Sequence, residues 1–195
     1  MHRPLTATLA RTWLPQAGVQ YDVLKVLVGS FFIALCAQIA IPLPFTPVPI
    51  TGQTLGVLLT AALLGSRLGA LTIVAYLAEG AAGLPVFAPG GAIGIARFYG
   101  PTAGYLIGWL PAAFLVGWLA ERGWDRKFWT TALAMVLGNL IIYVGGIAGL
   151  ARYFQAEERL MKGMIPFLIG DAIKIILAAA ALPGAWALTD RAGHA

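Results

Sequence analysis

Apolar residues in this chain run in long blocks, separated by short stretches rich in proline, glycine and charge. This is neither the alternation of a half-buried strand nor the one-sided stripe of a soluble amphipathic helix. It is the pattern of helices surrounded by lipid. Six blocks predict six spans, at 23–42, 52–65, 67–82, 101–119, 128–150 and 164–188. The fold class expected is an all-α integral membrane protein. Its six-helix bundle occupies residues 23–190, between tails at 1–22 and 191–195. Pro42, Pro44, Pro47 and Pro49 stop the first helix. The second block is short for a hydrocarbon core of about 30 Å, which takes about 20 residues. The segment at 42–51 is therefore expected to re-enter the membrane as irregular backbone covered by protein, because lipid does not satisfy exposed peptide groups.

Between the spans lie a Gly/Pro-rich loop at 83–100 and a charged stretch at 151–163. In the N-terminal tail, Leu5, Leu9 and Trp13 stand at helical spacing beside Arg3 and Arg11. That tail is either a short interfacial helix or a disordered arm, and it does not read as a signal peptide. With the N-terminus in the cytoplasm, that side holds Arg3, Arg11, Lys25, Arg67, Arg122, Arg126, Lys127 and Arg191, against Arg97, Arg152, Arg159 and Lys162 outside. Eight against four places both termini inside and the segments at 42–51 and 83–100 outside.

Composition narrows the chemistry. Hydrophobic residues make up 59% of the chain and charged ones 11%, far from the roughly 25% charged of soluble domains. The net charge of +5 follows from the positive-inside bias, not from a nucleic-acid surface. His2 and His194 sit at the chain ends, which removes histidine catalysis and histidine metal sites. The single cysteine, Cys36, offers neither an internal disulfide nor a zinc pattern.

The informative residues are polar ones inside apolar blocks. Asp171 and Lys174 stand at i, i+3 and share a helix face. A charge at a span centre costs roughly 2.5–3.5 kcal/mol on insertion scales. The pair is either a self-neutralising structural bridge or the lining of a cavity that offers carboxylate and ammonium to a polar ligand. Glu79, late in the third block, reads either as a charge reaching the interface or as a ligand contact. Arg97 is either a solvated loop charge or a lid residue whose planar fork can clamp a carboxylate. Thr51, Gln53 and Thr54 can cap the second helix or face a ligand. Asn139 and Tyr143, at i, i+4, can bond a neighbouring helix or a ligand. Phe87, Tyr99, Tyr105 and Trp109 are interfacial aromatics or a cage. Ser30, Ala34 and Ala37 form a small-residue stripe that admits a close neighbour, either within the bundle or on a partner protein.

Four segments resemble signatures of one family. They are Pro47-Val-Pro-Ile-Thr-Gly-Gln-Thr54, Gly80-Ala-Ala-Gly-Leu-Pro-Val-Phe-Ala88, Gly100-Pro-Thr-Ala-Gly-Tyr105 and Pro166-Phe-Leu-Ile-Gly-Asp-Ala-Ile-Lys174. In this order they resemble BioY, the biotin-specific substrate-binding (S) component of energy-coupling-factor (ECF) transporters. The resemblance implies a six-helix bundle in a bacterial cytoplasmic membrane, with the vitamin near the outer face under the loop between the first two helices. It implies transport without chemistry and without a cofactor, in company with a transmembrane coupling protein and two ATP-binding-cassette ATPases, or alone, or as a homo-oligomer. The chain has no G-x-x-x-x-G-K-[ST] loop, so ATP would be handled by separate subunits. On this resemblance Asp171 accepts from the ureido N–H groups of biotin, Lys174 donates to a ligand oxygen, and Arg97 meets the carboxylate. Glu79, Thr51, Gln53 and Asn139 are further contacts, and Phe87 and Tyr105 pack on the apolar part. Competing readings are an S component for another vitamin and a proton-driven carrier using Asp171 or Glu79. A membrane enzyme would need an acidic metal cluster or a nucleophile with its base.

Overall fold

The structure, a computed structural model, describes residues 8–192. His2, Arg3, Leu5 and His194 lie outside the described residues. A short α1 (Leu9–Trp13) precedes α2 (Val19–Gln38). A hairpin of β1 (Ala40–Leu43) and β2 (Thr46–Thr51) follows, then α3 (Gln53–Leu64), α4 (Ser66–Ala81), α5 (Ala103–Ala120), α6 (Phe128–Gly149), α7 (Ala156–Gly163) and α8 (Leu168–Ala192). Four helical stretches, Val19–Gln38, Ala103–Ala120, Phe128–Arg152 and Ala156–Arg191, are long and apolar enough to cross a membrane among the described residues. The outward sides of α2 and α8 remain apolar, with Leu27, Phe31, Ile169 and Ile173 exposed. Such faces suit lipid, where an exposed aliphatic side chain carries no penalty.

The segment at 42–51 departs from expectation. It is an antiparallel hairpin, not irregular backbone, so the fold is not purely α-helical. Ala40 pairs with Thr51, Ile41 with Ile50 and Leu43 with Thr46. The register slips between Ile41 and Leu43, where Pro42 has no N–H to give. With only two strands both are edges, the one place in a sheet that tolerates proline. Pairing satisfies peptide groups that lipid or a dry cover would leave open. The Thr46 hydroxyl donates to the Lys162 carbonyl at 2.8 Å, which ties the hairpin to α7.

Helix ends also moved. The last span begins at Leu168, not 164, because Pro166 sits in the 3-10 turn Ile165–Phe167 that precedes it. Asp171 therefore falls in the first turn of α8, where the partial positive charge of a helix start favours a carboxylate. The charged stretch after α6 forms α7, with an exposed ion pair between Lys162 and Glu158 at 2.8 Å. α1 is a docked helix: Leu9 is fully buried, and Trp13 Nε1 donates to Thr189 Oγ1 at 2.7 Å.

The tightest seam joins α5 to α6. A Cβ on Gly104 would lie 2.2 Å from the Gly145 carbonyl oxygen. No other residue allows backbone to meet backbone here. The stripe on α2 is likewise spent inside the bundle. Ser30 and Ala37 are 2% and 0% exposed, and Ala34 is half-buried. Reading Ser30, Ala34 and Ala37 as a partner-docking face is corrected by this geometry, since α2 uses that face to pack on α3 and α4.

Candidate ligand-binding site

The hairpin, the loop before α5 and the ends of α3, α5, α6 and α8 nearest the hairpin line a cavity with about 610 Å³ of empty space, its mouth included. Asp171, Lys174, Arg97, Thr51, Gln53, Asn139 and Tyr105 all line it, although the sequence separates them by up to 123 positions (174 minus 51).

At one end stands a chain of polar groups drawn from three helices. The Tyr143 hydroxyl of α6 donates to Asp171 Oδ2. Lys174 Nζ donates to Asp171 Oδ1 and to Thr54 Oγ1 of α3, each at 2.9 Å. Both side chains of the pair are largely buried, at 8% and 17% exposure for Asp171 and Lys174. Two of the three ammonium donors are used within the protein, and the carboxylate retains acceptor capacity. The pair is thus both a structural bridge and a cavity wall. Asn139, in the next turn of α6, spends one amide N–H on the Met135 carbonyl at 3.1 Å.

At the other end lies Arg97, in the 3-10 helix Gly94–Tyr99 and only 6% exposed. One guanidinium N–H₂ donates to the Ala88 carbonyl at 3.1 Å, and the guanidinium carbon lies 5.9 Å from the Phe87 ring centre. Arg97 Nε is buried without a partner among the described residues. Burial pulls the Arg97 guanidinium below its ordinary pKa. Trp109 Nε1, also in the lining, is a second buried donor without a partner among the described residues. Buried unpaired donors cost free energy, and a ligand with acceptors would relieve both. The walls between the two ends are apolar: Val48, Leu106, Ile142 and Phe167.

Gln53 Nε2 donates to the Tyr76 hydroxyl, which donates to the Val86 carbonyl, each at 2.7 Å. The Tyr105 hydroxyl donates to the Gly163 carbonyl. Two expected ligand contacts are corrected. Glu79 is absent from the lining and instead accepts from Ser30 Oγ at 2.7 and 2.6 Å. Phe87 packs edge-on against Tyr76 at 5.5 Å and supports Arg97 from behind. Thr102 and Pro49 are in the lining but were not among the candidates. Tyr105 and Trp109, at i, i+4 on α5, carried the one readable signal for a lining aromatic face.

The BioY family profile matches residues 10–191. The chain belongs to the BioY family. It is 39% identical over 165 residues to a biotin transporter BioY of Rhizobium etli, covering 80% of this chain and 88% of that protein. It is 41% identical over 169 residues to a biotin transporter BioY of Rhodobacter capsulatus, covering 77% and 85%. The fold matches the 2.1 Å crystal structure of the S-component for biotin from an ECF-type ABC transporter. The TM-score is 0.74 at 29% identity, over 86% of this chain and 93% of that one. Phe87 belongs to a segment that carried the BioY resemblance and Glu79 immediately precedes it; there they support Arg97 and α2, not the cavity.

Proposed function

We propose that this membrane protein binds biotin with high affinity and carries it across the bacterial cytoplasmic membrane as the substrate-binding component of an ECF-type transporter. The observation that carries this reading is the cavity itself. It has a braced carboxylate–ammonium pair at one end, a buried arginine at the other and apolar walls between. Biotin offers a ureido ring with N–H donors and a carbonyl, an apolar thioether ring and chain, and a terminal carboxylate. Asp171 accepts from the ureido N–H groups, and Lys174, with Asn139 beside it, donates to the ureido oxygen. Arg97 neutralises the carboxylate and Trp109 gives its indole N–H to an acceptor. Thr51, Gln53 and Tyr105 complete the wall.

In this reading α2, α3, α4, α5, α6 and α8 are the six spans, and the hairpin is the outward cover. Both termini are cytoplasmic, which the bias of eight basic residues to four supports. Energy comes from a coupling protein and two ATPases. The likeness to the S-component structure supports such partners.

The test is a calorimetric titration of the ligand-free protein in detergent with biotin, run beside Asp171→Asn and Lys174→Met. Tight binding by the wild type, weakened at least tenfold in both variants, is expected. A folded wild type that ignores biotin overturns the assignment and makes other vitamins the next ligands to titrate.

A further inference from the structure

The cavity is not closed at its Arg97 end. Arg97, Pro49 and Thr102 also border a second hollow of about 890 Å³, mouth included, between the hairpin and the Gly/Pro loop. At the opposite end, Lys174, Asn139 and Thr54 border only a small void of about 180 Å³, also lined by Leu58 and Met135. The site thus has a polar end with little space beyond it and an end that continues past Arg97 into a roomier vestibule. A ligand whose ring sits at Asp171 and Lys174 has its chain terminus at that opening.

The vestibule wall includes Pro42, Pro47, Pro89, Gly90 and the exposed Ala92. Arg97 is its one formally charged side chain among the described residues. Arg97 itself lies against Gly91, where a Cβ would sit 1.3 Å from the guanidinium Nη1. Its fork therefore occupies one side of the passage, and the Ala88 carbonyl holds it there. Its unpaired buried Nε–H needs an acceptor, and an amide carbonyl provides one as a carboxylate does.

We infer that the vestibule is a second subsite, which admits biotin extended through its carboxyl as an amide, such as a biotinyl-lysine. This inference rests on the biotin reading above. The carbonyl of the amide stays on Arg97, and the lysyl portion lies in the uncharged, Pro- and Gly-lined hollow. No bond is made or broken. Replacing a carboxylate by an amide at Arg97 loses one charge-assisted pairing, so affinity falls by about 10- to 100-fold. The added lysyl group adds no further loss, because the space already exists.

Three probes separate these effects in one calorimetric series on the full-length protein: biotin, its primary amide, and N6-biotinyl-lysine. Biotinyl-lysine is expected within about tenfold of the primary amide. A conjugate more than about 100-fold weaker than the primary amide, beside tight biotin binding, overturns the subsite and leaves the biotin reading intact. Failure of biotin itself is the failure of that reading. Ala92→Trp, in the vestibule lining and absent from the lining of the Asp171 cavity, is expected to weaken biotinyl-lysine at least tenfold while biotin and its primary amide bind as before. Unchanged binding of the conjugate by this variant also overturns the inference.

Discussion

Removing Lys174 tests whether the polar chain around Asp171 holds the empty bundle together. In Lys174→Met the Asp171 carboxylate keeps the Tyr143 hydroxyl but loses an ammonium 2.9 Å away. At an effective dielectric constant of about 20, that contact is worth about 6 kcal/mol of attraction before desolvation is subtracted. Breaking one side of a buried pair costs about 3–5 kcal/mol, because the remaining charge is stranded. Lys174 retains 17% exposure, which favours the lower figure, about 3 kcal/mol. In a protein of this size 1 kcal/mol moves the melting temperature by about 2–4 °C, so a fall of about 6–12 °C is expected. The assay is thermal unfolding of ligand-free protein in detergent, followed by tryptophan fluorescence. The double variant Asp171→Asn/Lys174→Met carries no stranded charge and should recover more than half of the loss, while binding biotin no better than either single variant. A single variant melting within about 2 °C of wild type, or a double variant no more stable than Lys174→Met, would refute the reasoning.

Arg97→Gln should weaken biotin by about 10- to 100-fold and its primary amide by far less, since only the charged ligand loses a charged partner; titration of both ligands checks this. Gly91→Val should reproduce that pattern without altering Arg97, because its side chain needs the space the guanidinium fills. In the turn between α5 and α6, Asp125 is 2% exposed and accepts from Trp186 Nε1 at 2.7 Å. Burial pushes its carboxyl up to about 6 from an ordinary 3.8, outweighing the hydrogen bond and Arg126, which lower it. Between about pH 4 and pH 6 the folded protein keeps a proton that the unfolded chain has released. Stability therefore falls as pH rises through that window, by at most about 3 kcal/mol, and levels above it. Melting curves from pH 4 to pH 7 should show this slope, and Asp125→Asn should flatten it. Gly145→Leu should cost about 1–3 kcal/mol or more by prising α5 from α6, read as a lower melting temperature with biotin affinity falling in parallel.

Helix positions were legible in the chain because bilayer thickness fixes how long an apolar run has to be, so α4, α5 and α6 begin and end within two residues of expectation. The hairpin was not, because four prolines argue against strands and only an isolated two-stranded edge tolerates them. Asp171 and Lys174 stood out because charge in an apolar run has few innocent explanations. Glu79 stood out for the same reason, yet it faces Ser30 on α2. Membership of a helix is written in the sequence, but the rotation of that helix about its axis is set by its neighbours. For the same reason Thr102 and Pro49 escaped notice: they become walls only when the hairpin folds over the start of α5.

Tyr143, Asp171, Lys174 and Thr54 fasten α6, α8 and α3 to one another before any guest arrives. A receptor so braced captures its guest with little rearrangement, which favours tenacity. The same stiffness works against delivery. A clamp already at rest when empty has no spring of its own to expel what it holds, so letting go calls for work applied to the fastened helices from outside the clamp.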